Sequence, residues 1–214
     1  MGAAFLQGFM VALALILPLG PQNTFVISQG ATHTQYRHVL PVVITAALSD
    51  SILIAGAVMG VSLVLLALPA LKTALKLLGV IFLVWMGWQT WRHSEHSAMD
   101  HNDLMAYWTI ARRIKHTMRA SLLNPHAIMD TVVVIGGGAA VYGSASDKIA
   151  YALAATMVSW GWFFAISWLG RGLGRLNHRE RVLRWLNRLS ASLMWTIAGR
   201  YLIQLGAFWR AMSF

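Results

Sequence analysis

Two aspartates, Asp50 and Asp130, stand near the middle of long apolar runs in a chain whose hydrophobic segments otherwise carry almost no acid. A carboxylate at bilayer depth is costly, so it faces a protein interior or a water-filled cavity and takes a cation or a proton as its partner. Two such acids describe a transport site. Helix-breaking and polar groups cluster close by, in Leu17-Pro18-Leu19-Gly20-Pro21-Gln22-Asn23 and again in Leu122-Leu123-Asn124-Pro125-His126. Proline deletes an amide donor and displaces the carbonyl four residues earlier, which frees the carbonyls of Ala14 and Leu17. Together with the side chains of Gln22, Asn23 and Asn124, these carbonyls offer acceptors to ammonium or guanidinium donors. Helix N-termini restarting after Pro21 and Pro125 suit a carboxylate. A broken helix beside an acid thus offers both ends of an amino-acid zwitterion a partner. His126 fits a proton relay or a hydrogen-bonded structural role equally well.

The elements that position these groups follow from composition: 57% of the residues are hydrophobic, 11% are charged and mean hydropathy is +0.60. That pattern belongs to an integral membrane protein. Runs of about 20 apolar residues cross a hydrocarbon core of roughly 30 Å as helix, and six are read here, at residues 4–27, 39–66, 70–91, 118–140, 149–169 and 189–209. The first has no Lys or Arg ahead of it and contains Pro18 and Pro21, which fits a retained span better than a signal peptide. At 1.5 Å per residue Asp50 lies roughly 16 Å into the second span and Asp130 about 18 Å into the fourth, both near the midplane. The two breaks open the first and fourth spans. The expected fold is therefore all-α and polytopic, six transmembrane helices arranged as two inverted three-helix repeats with proline-broken helices 1 and 4. It forms one domain over 1–214, with repeats at 1–91 and 118–214 and a cytoplasmic loop at 92–117.

The net charge of +10 is not a nucleic-acid signature, because its residues partition by side. Loops after spans one, three and five hold Arg37, Arg92, Arg112, Arg113, Lys115, Arg119, Arg171, Arg175, Arg179, Arg181, Arg184 and Arg188, and the other face little beyond Lys72, Lys148 and Arg210. The positive-inside rule then makes the long loops cytoplasmic and both termini periplasmic or extracellular. The segment from Arg171 to Arg188 is suited to anionic lipid heads. Zero cysteine excludes disulfides and thiolate sites. The loop with His93, Glu95, His96, Asp100, His101 and Asp103 lacks a helical His pair and reads as a solvated loop rather than a metal site. No cofactor is called for. Gly136, Gly137 and Gly138 permit close helix approach, and several tryptophans suit interfacial anchoring.

The stretch Leu17 to Asn23, the step Leu48-Ser49-Asp50, Phe82-Leu83-Val84-Trp85-Met86-Gly87 and Leu123-Asn124-Pro125-His126 followed by Asp130-Thr131 resemble the LysE/ArgO family of basic amino-acid exporters. The likeness runs through nearly the whole chain and is nearest the arginine-exporter branch. It implies a multi-pass protein of a bacterial inner membrane that moves L-arginine outward, with lysine or canavanine as related cargo. The paired intramembrane aspartates of the family carry over to Asp50 and Asp130, and its two proline motifs to Pro18 through Asn23 and to Asn124 through His126. Arg200, near the centre of the sixth span, departs from the pattern. It either pairs with Asp50 or Asp130 until substrate displaces it, or snorkels to the outer interface.

The mechanism expected is alternating access with proton antiport, since a uniporter cannot concentrate a cation outside against an inside-negative potential of about 2.3 kcal/mol per 100 mV. Exporters of neutral amino acids or of divalent cations would share the fold. The spans hold no HExxH motif and no Ser/Lys or Ser/His pairing of catalytic spacing, so an enzyme is not expected. Oligomeric state, including a homo-oligomer, stays open.

Overall fold

The structure is a computed structural model and describes residues 1–18, 20–33, 35–67, 71–92, 108–173 and 179–212. All of the regular structure in these residues is helical. The first apolar run forms α1 (Gly2–Ile16) and α2 (Pro21–Thr32), separated by residues 17–20. Pro21 sits at the first position of α2, where its missing N–H costs nothing and its fixed φ is already helical. A short 3-10 turn, Tyr36–His38, leads into α3 (Leu40–Ala67), and α4 is Leu71–Arg92.

The second part of the chain opens with α5 (Ile110–Leu122), whose cap residue Thr109 accepts a hydrogen bond from the Arg112 amide at 3.3 Å. After Leu123 and Asn124 the chain restarts at Pro125 as α6 (Pro125–Met129), widens into a π-helix over Asp130–Gly136 and closes in α7 (Gly137–Ala139). Two long helices complete the fold, α8 (Ala145–Leu173) and α9 (Arg179–Met212). The helices overrun several apolar runs. Arg179 to Arg188 is helical although it lies before the expected sixth span, because helix ends follow capping and backbone bonding whereas apolar runs follow solvent. The His- and Asp-bearing residues 93–107 lie outside the described residues.

Among the described residues, Leu40–Val61 and Ala145–Gly172 are long and apolar enough to cross a hydrocarbon core outright. Gly2–Ile16 and Ala127–Ala139 are shorter apolar pieces. The outward faces are apolar too: Ile44, Leu48, Ile52 and Met59 on α3, Leu77, Ile81 and Trp88 on α4, and Ile149, Leu153 and Met157 on α8 are exposed. Spacings of four and seven put each set on one helix face. Apolar surface that extensive needs a cover other than water.

α8 is the central element, packing along both α1 and α2 and against α3. α3 in turn packs on α5, the π-helical stretch and α7, while α4 pairs with α9. Glycines set the closest approaches: a Cβ on Gly8 would strike the Tyr151 carbonyl, one on Gly30 the Ser167 carbonyl and one on Gly170 the Ile27 carbonyl. On the other side, a Cβ on Gly136 would come within 3.0 Å of the Ala57 carbonyl oxygen, and one on Gly138 within 2.9 Å of the Tyr201 hydroxyl. The expected role of Gly136 and Gly138 in close packing is what the structure has. The buried core falls into two clusters. One joins α1, α4, α8 and α9 around Leu15, Leu83, Tyr151 and Met194, and the other joins α2, α3 and α8 around Ile27, Val43, Phe163 and Ile166.

Gly30→Ala is expected to lower the thermal midpoint in detergent, because an added methyl meets backbone that cannot yield; overpacking of this kind costs about 1–3 kcal/mol. Gly56→Ala, with nothing within 4 Å of the added atom, should leave the midpoint unchanged or raise it.

Candidate functional site

Between the two core clusters lies a cavity of about 430 Å³ lined by Asp50 and Asp130 together with Pro18, Gly20, Gln22, Asn23 and Asn124. The structure thus brings both acids and both chain breaks to one chamber. Asp50 occupies the gap in α3 between Ala47 of one cluster and Ile54 of the other. Its Oδ1 accepts from Ser121 at 3.1 Å and from Gln22 at 3.5 Å, and its Oδ2 accepts from Ser159 at 2.9 Å. Those donors stand on α5, α2 and α8. One carboxylate therefore joins four segments of the chain. Asp130 opens the π-helical stretch and lines the same chamber. Its Oδ1 is buried and has no hydrogen-bond partner among the described residues. π-Turns recur at functional sites in helices.

The breaks are held differently from the sequence expectation. Asn23 donates its amide to the carbonyls of Ile16 at 2.6 Å and Pro18 at 2.7 Å, and Ser190 on α9 donates to the Ala14 carbonyl at 2.7 Å. The carbonyl of Ala14, read from sequence as open to a ligand, is therefore spent on stabilising the break, and so is the amide nitrogen of Asn23, whose oxygen is the acceptor of the sequence reading. A buried carbonyl left without a donor costs about 1–3 kcal/mol, which is why the chain supplies partners. The first amides of α2, at Gln22 and Asn23, begin a helix and have no intrahelical acceptor.

Arg200 is not among the residues lining the cavity; it is exposed on α9. Of its two sequence readings, this placement matches the one in which the side chain reaches away from the acids. The side chain of His126 lies outside the described residues. Wall residues that the sequence did not single out are Ser159, Gln89, Thr90 and Asn187, with Met86 beside them.

Polar ties close both ends of the chamber's surroundings. At one end Tyr142 donates to Gln7 at 2.6 Å, Gln7 donates to Tyr201 at 3.3 Å, and the terminal amine of Met1 pairs with Asp147 at 2.5 Å. At the other, Arg113 is buried, only 5% exposed, rather than a solvated loop charge. Its guanidinium donates to Gln29 Oε1 at 3.2 Å and to the His38 carbonyl at 2.9 Å, and meets His33 Nε2 at 2.8 Å. A guanidinium cannot accept, so His33 accepts through Nε2 and is neutral in this contact. Burial, then the charges of Arg113 and His38, hold the proton affinity of His33 below its usual value.

The sign of the resulting pH effect follows. Below about pH 6.5 an unfolded histidine takes a proton that folded His33 refuses, so this contribution to stability is lost as pH falls through that value. His116, lowered by burial and by Arg119, contributes in the same sense. Thermal midpoints measured from pH 7.5 down to 5.5 should therefore fall, and His33→Gln, which keeps an acceptor for Arg113, should make the fall shallower.

The LysE type translocator family matches residues 13–205 of the chain. YisU of Bacillus subtilis (strain 168), named only provisionally as an amino-acid transporter, is 36% identical over 202 residues, covering 94% of this chain and 90% of that protein. The arginine exporter protein ArgO of Pectobacterium carotovorum subsp. carotovorum (strain PC1) is 38% identical over 204 residues, 92% of this chain and 96% of the relative. ArgO of Serratia proteamaculans (strain 568) is 37% identical over 199 residues, 92% and 94% of the two chains. No solved structure matches the chain significantly. With a match of that extent and helices of this apolar character, the chain belongs to the LysE type translocator family, whose members are membrane transporters and not enzymes.

Proposed function

We propose that this chain exports L-arginine, with lysine or canavanine as related cargo, from the cytoplasm by exchange for protons under alternating access. The observation that carries the reading is that Asp50 and Asp130 line one cavity whose described lining holds neither lysine nor arginine. Two acids without a resident base favour a positively charged passenger, because each buried carboxylate needs a cation or a proton. Arginine brings a cationic side chain to an acidic cavity, and its carboxylate suits the amides at the start of α2. The names of the relatives in Pectobacterium and Serratia point to the same cargo. Exchange for an inward proton cancels the exported charge, which removes the penalty of about 2.3 kcal/mol per 100 mV.

The architecture proposed with it is six spans in two inverted three-helix halves. Supporting this is the exchange of packing partners: the first span, α1 with α2, lies on the fifth, α8, and the broken fourth lies on the second, α3. The third and sixth, α4 and α9, pair with each other, as a swap of halves requires. Both termini are assigned to the periplasmic side of a bacterial inner membrane. The tie of Met1 to Asp147 puts the N-terminus with the loop before α8, and the tie of His33 to Arg113 puts the first loop with the start of α5. Arg171 over Tyr36 and Trp168, and Arg188 over Trp91, at 5.5–5.9 Å, suit an interface with anionic lipid.

In a bacterial strain lacking its own exporter, the chain should confer canavanine resistance, and Asp50→Asn and Asp130→Asn should each abolish it. Arginine efflux from vesicles should accelerate when the pH gradient is imposed. Resistance confined to neutral amino-acid analogues would instead assign the neutral-exporter reading. Because the chain has no cysteine, Gly2→Cys gives a single label site; a membrane-impermeant maleimide added to intact cells freed of the outer-membrane barrier should label it fully, and labelling only after lysis would reverse the orientation.

A further inference from the structure

The two carboxylates of the chamber are unequal. Asp50 is engaged on both oxygens by Ser121, Gln22 and Ser159. A carboxylate oxygen has two lone-pair sites, so Oδ1 of Asp50 is full and Oδ2 keeps one. A guanidinium binds a carboxylate best as a fork, through two parallel N–H donors that need both oxygens of one acid. Asp50 cannot supply that edge without giving up one of the Oδ1 bonds that tie α2 and α5 to α3.

Asp130 is the opposite case. Its residue lines the cavity, and its buried Oδ1 has no partner among the described residues. Buried polar atoms in native proteins are nearly always bonded, and an orphaned acceptor calls for a partner the protein does not itself provide. The neighbouring Thr131 does not compete, since its hydroxyl donates to the Ala127 carbonyl at 2.7 Å. Arg200, the nearest expectation for an internal counter-ion, is exposed on α9.

We infer that Asp130 is the carboxylate that receives the guanidinium of the substrate side chain, while Asp50 is a positioning residue that fixes the chamber wall. This rests on the cationic amino-acid reading given above and divides its two acids by role. The chemistry selects a planar, two-donor cation. A neutral ureido side chain of the same shape brings no charge to the acid, and on its terminal edge a carbonyl replaces one of the two donors.

The test compares L-arginine with L-citrulline, its neutral ureido counterpart, for binding to the purified full chain in detergent, together with thermal midpoints. The wild type should prefer arginine by roughly 100-fold or more, the scale on which a buried charge pair discriminates. Asp130→Asn should bring the two ligands to comparable affinity with a midpoint unchanged or raised. Asp50→Asn should lower the midpoint and keep the preference for arginine. Should Asp50→Asn not fold, Ser159→Ala and Ser121→Ala each remove one donor from the same carboxylate and carry the same expectation. Preference surviving in Asp130→Asn, or lost in Asp50→Asn or the serine variants, overturns the division of roles while leaving arginine as cargo. A wild type that does not favour arginine overturns the cationic reading itself, and this inference with it.

Discussion

An acid carried into an apolar interior has to be bonded, and the arrangement of this protein follows from how Asp50 meets that demand. Three donors from three separate segments converge on its carboxyl group, so the helix that carries it cannot slide or rotate relative to α2, α5 and α8 without breaking a hydrogen bond. The effect is to hold a polar seam open between two apolar clusters that would otherwise merge. α3 and α8 run through both clusters, with Asp50 and Ser159 in the interval. The chamber is therefore not a packing defect. It is the space that a bonded acid keeps.

The two chain breaks complete the seam because both bring polar groups to the one cavity. Asn23 and Ser190 take up the carbonyls released at the first break, which leaves the amide end of α2 as the polar group presented to the chamber. At the second break the chain passes through Asn124 and Pro125 directly into the turn that carries Asp130. Irregular backbone at membrane depth is tolerated only where protein or a water-filled space surrounds it. Both breaks meet that condition at one place, which is why chemistry and backbone irregularity coincide.

Asp50, Asp130 and the proline stretches were legible in the sequence because each is expensive where it stands, and an expensive residue in an apolar run needs a reason. Serines and threonines carry no such signal. Ser51, Thr45, Thr131 and Thr196 all bond a carbonyl four residues back in their own helices, the ordinary use of a hydroxyl in a span. Ser159 looks the same in sequence and is different only because α8 carries it past Asp50. In the sequence Arg113 is one of many loop cations, and only the fold shows that Gln29, His33 and His38 enclose it. Arg200 is the reverse case, a cation deep in an apolar run that the helix leaves exposed. Chain position gives depth, whereas direction around a helix depends on which neighbours pack there.

The wide turn that starts at Asp130 has a geometric consequence. With its amides bonding five residues back, the backbone sweeps a smaller angle per residue than in an α-helix, so the directions in which side chains radiate before and after Gly136 are out of phase. An unbroken α-helix would lock the aim of the acid to the aim of the glycines that nestle against Ala57, Val61 and the tyrosines. Loosened winding uncouples them. One continuous rod can thereby keep its far end wedged tightly among neighbours while its near end brings an acid to the cavity wall, and a change of winding there would re-aim that acid without disturbing the wedge.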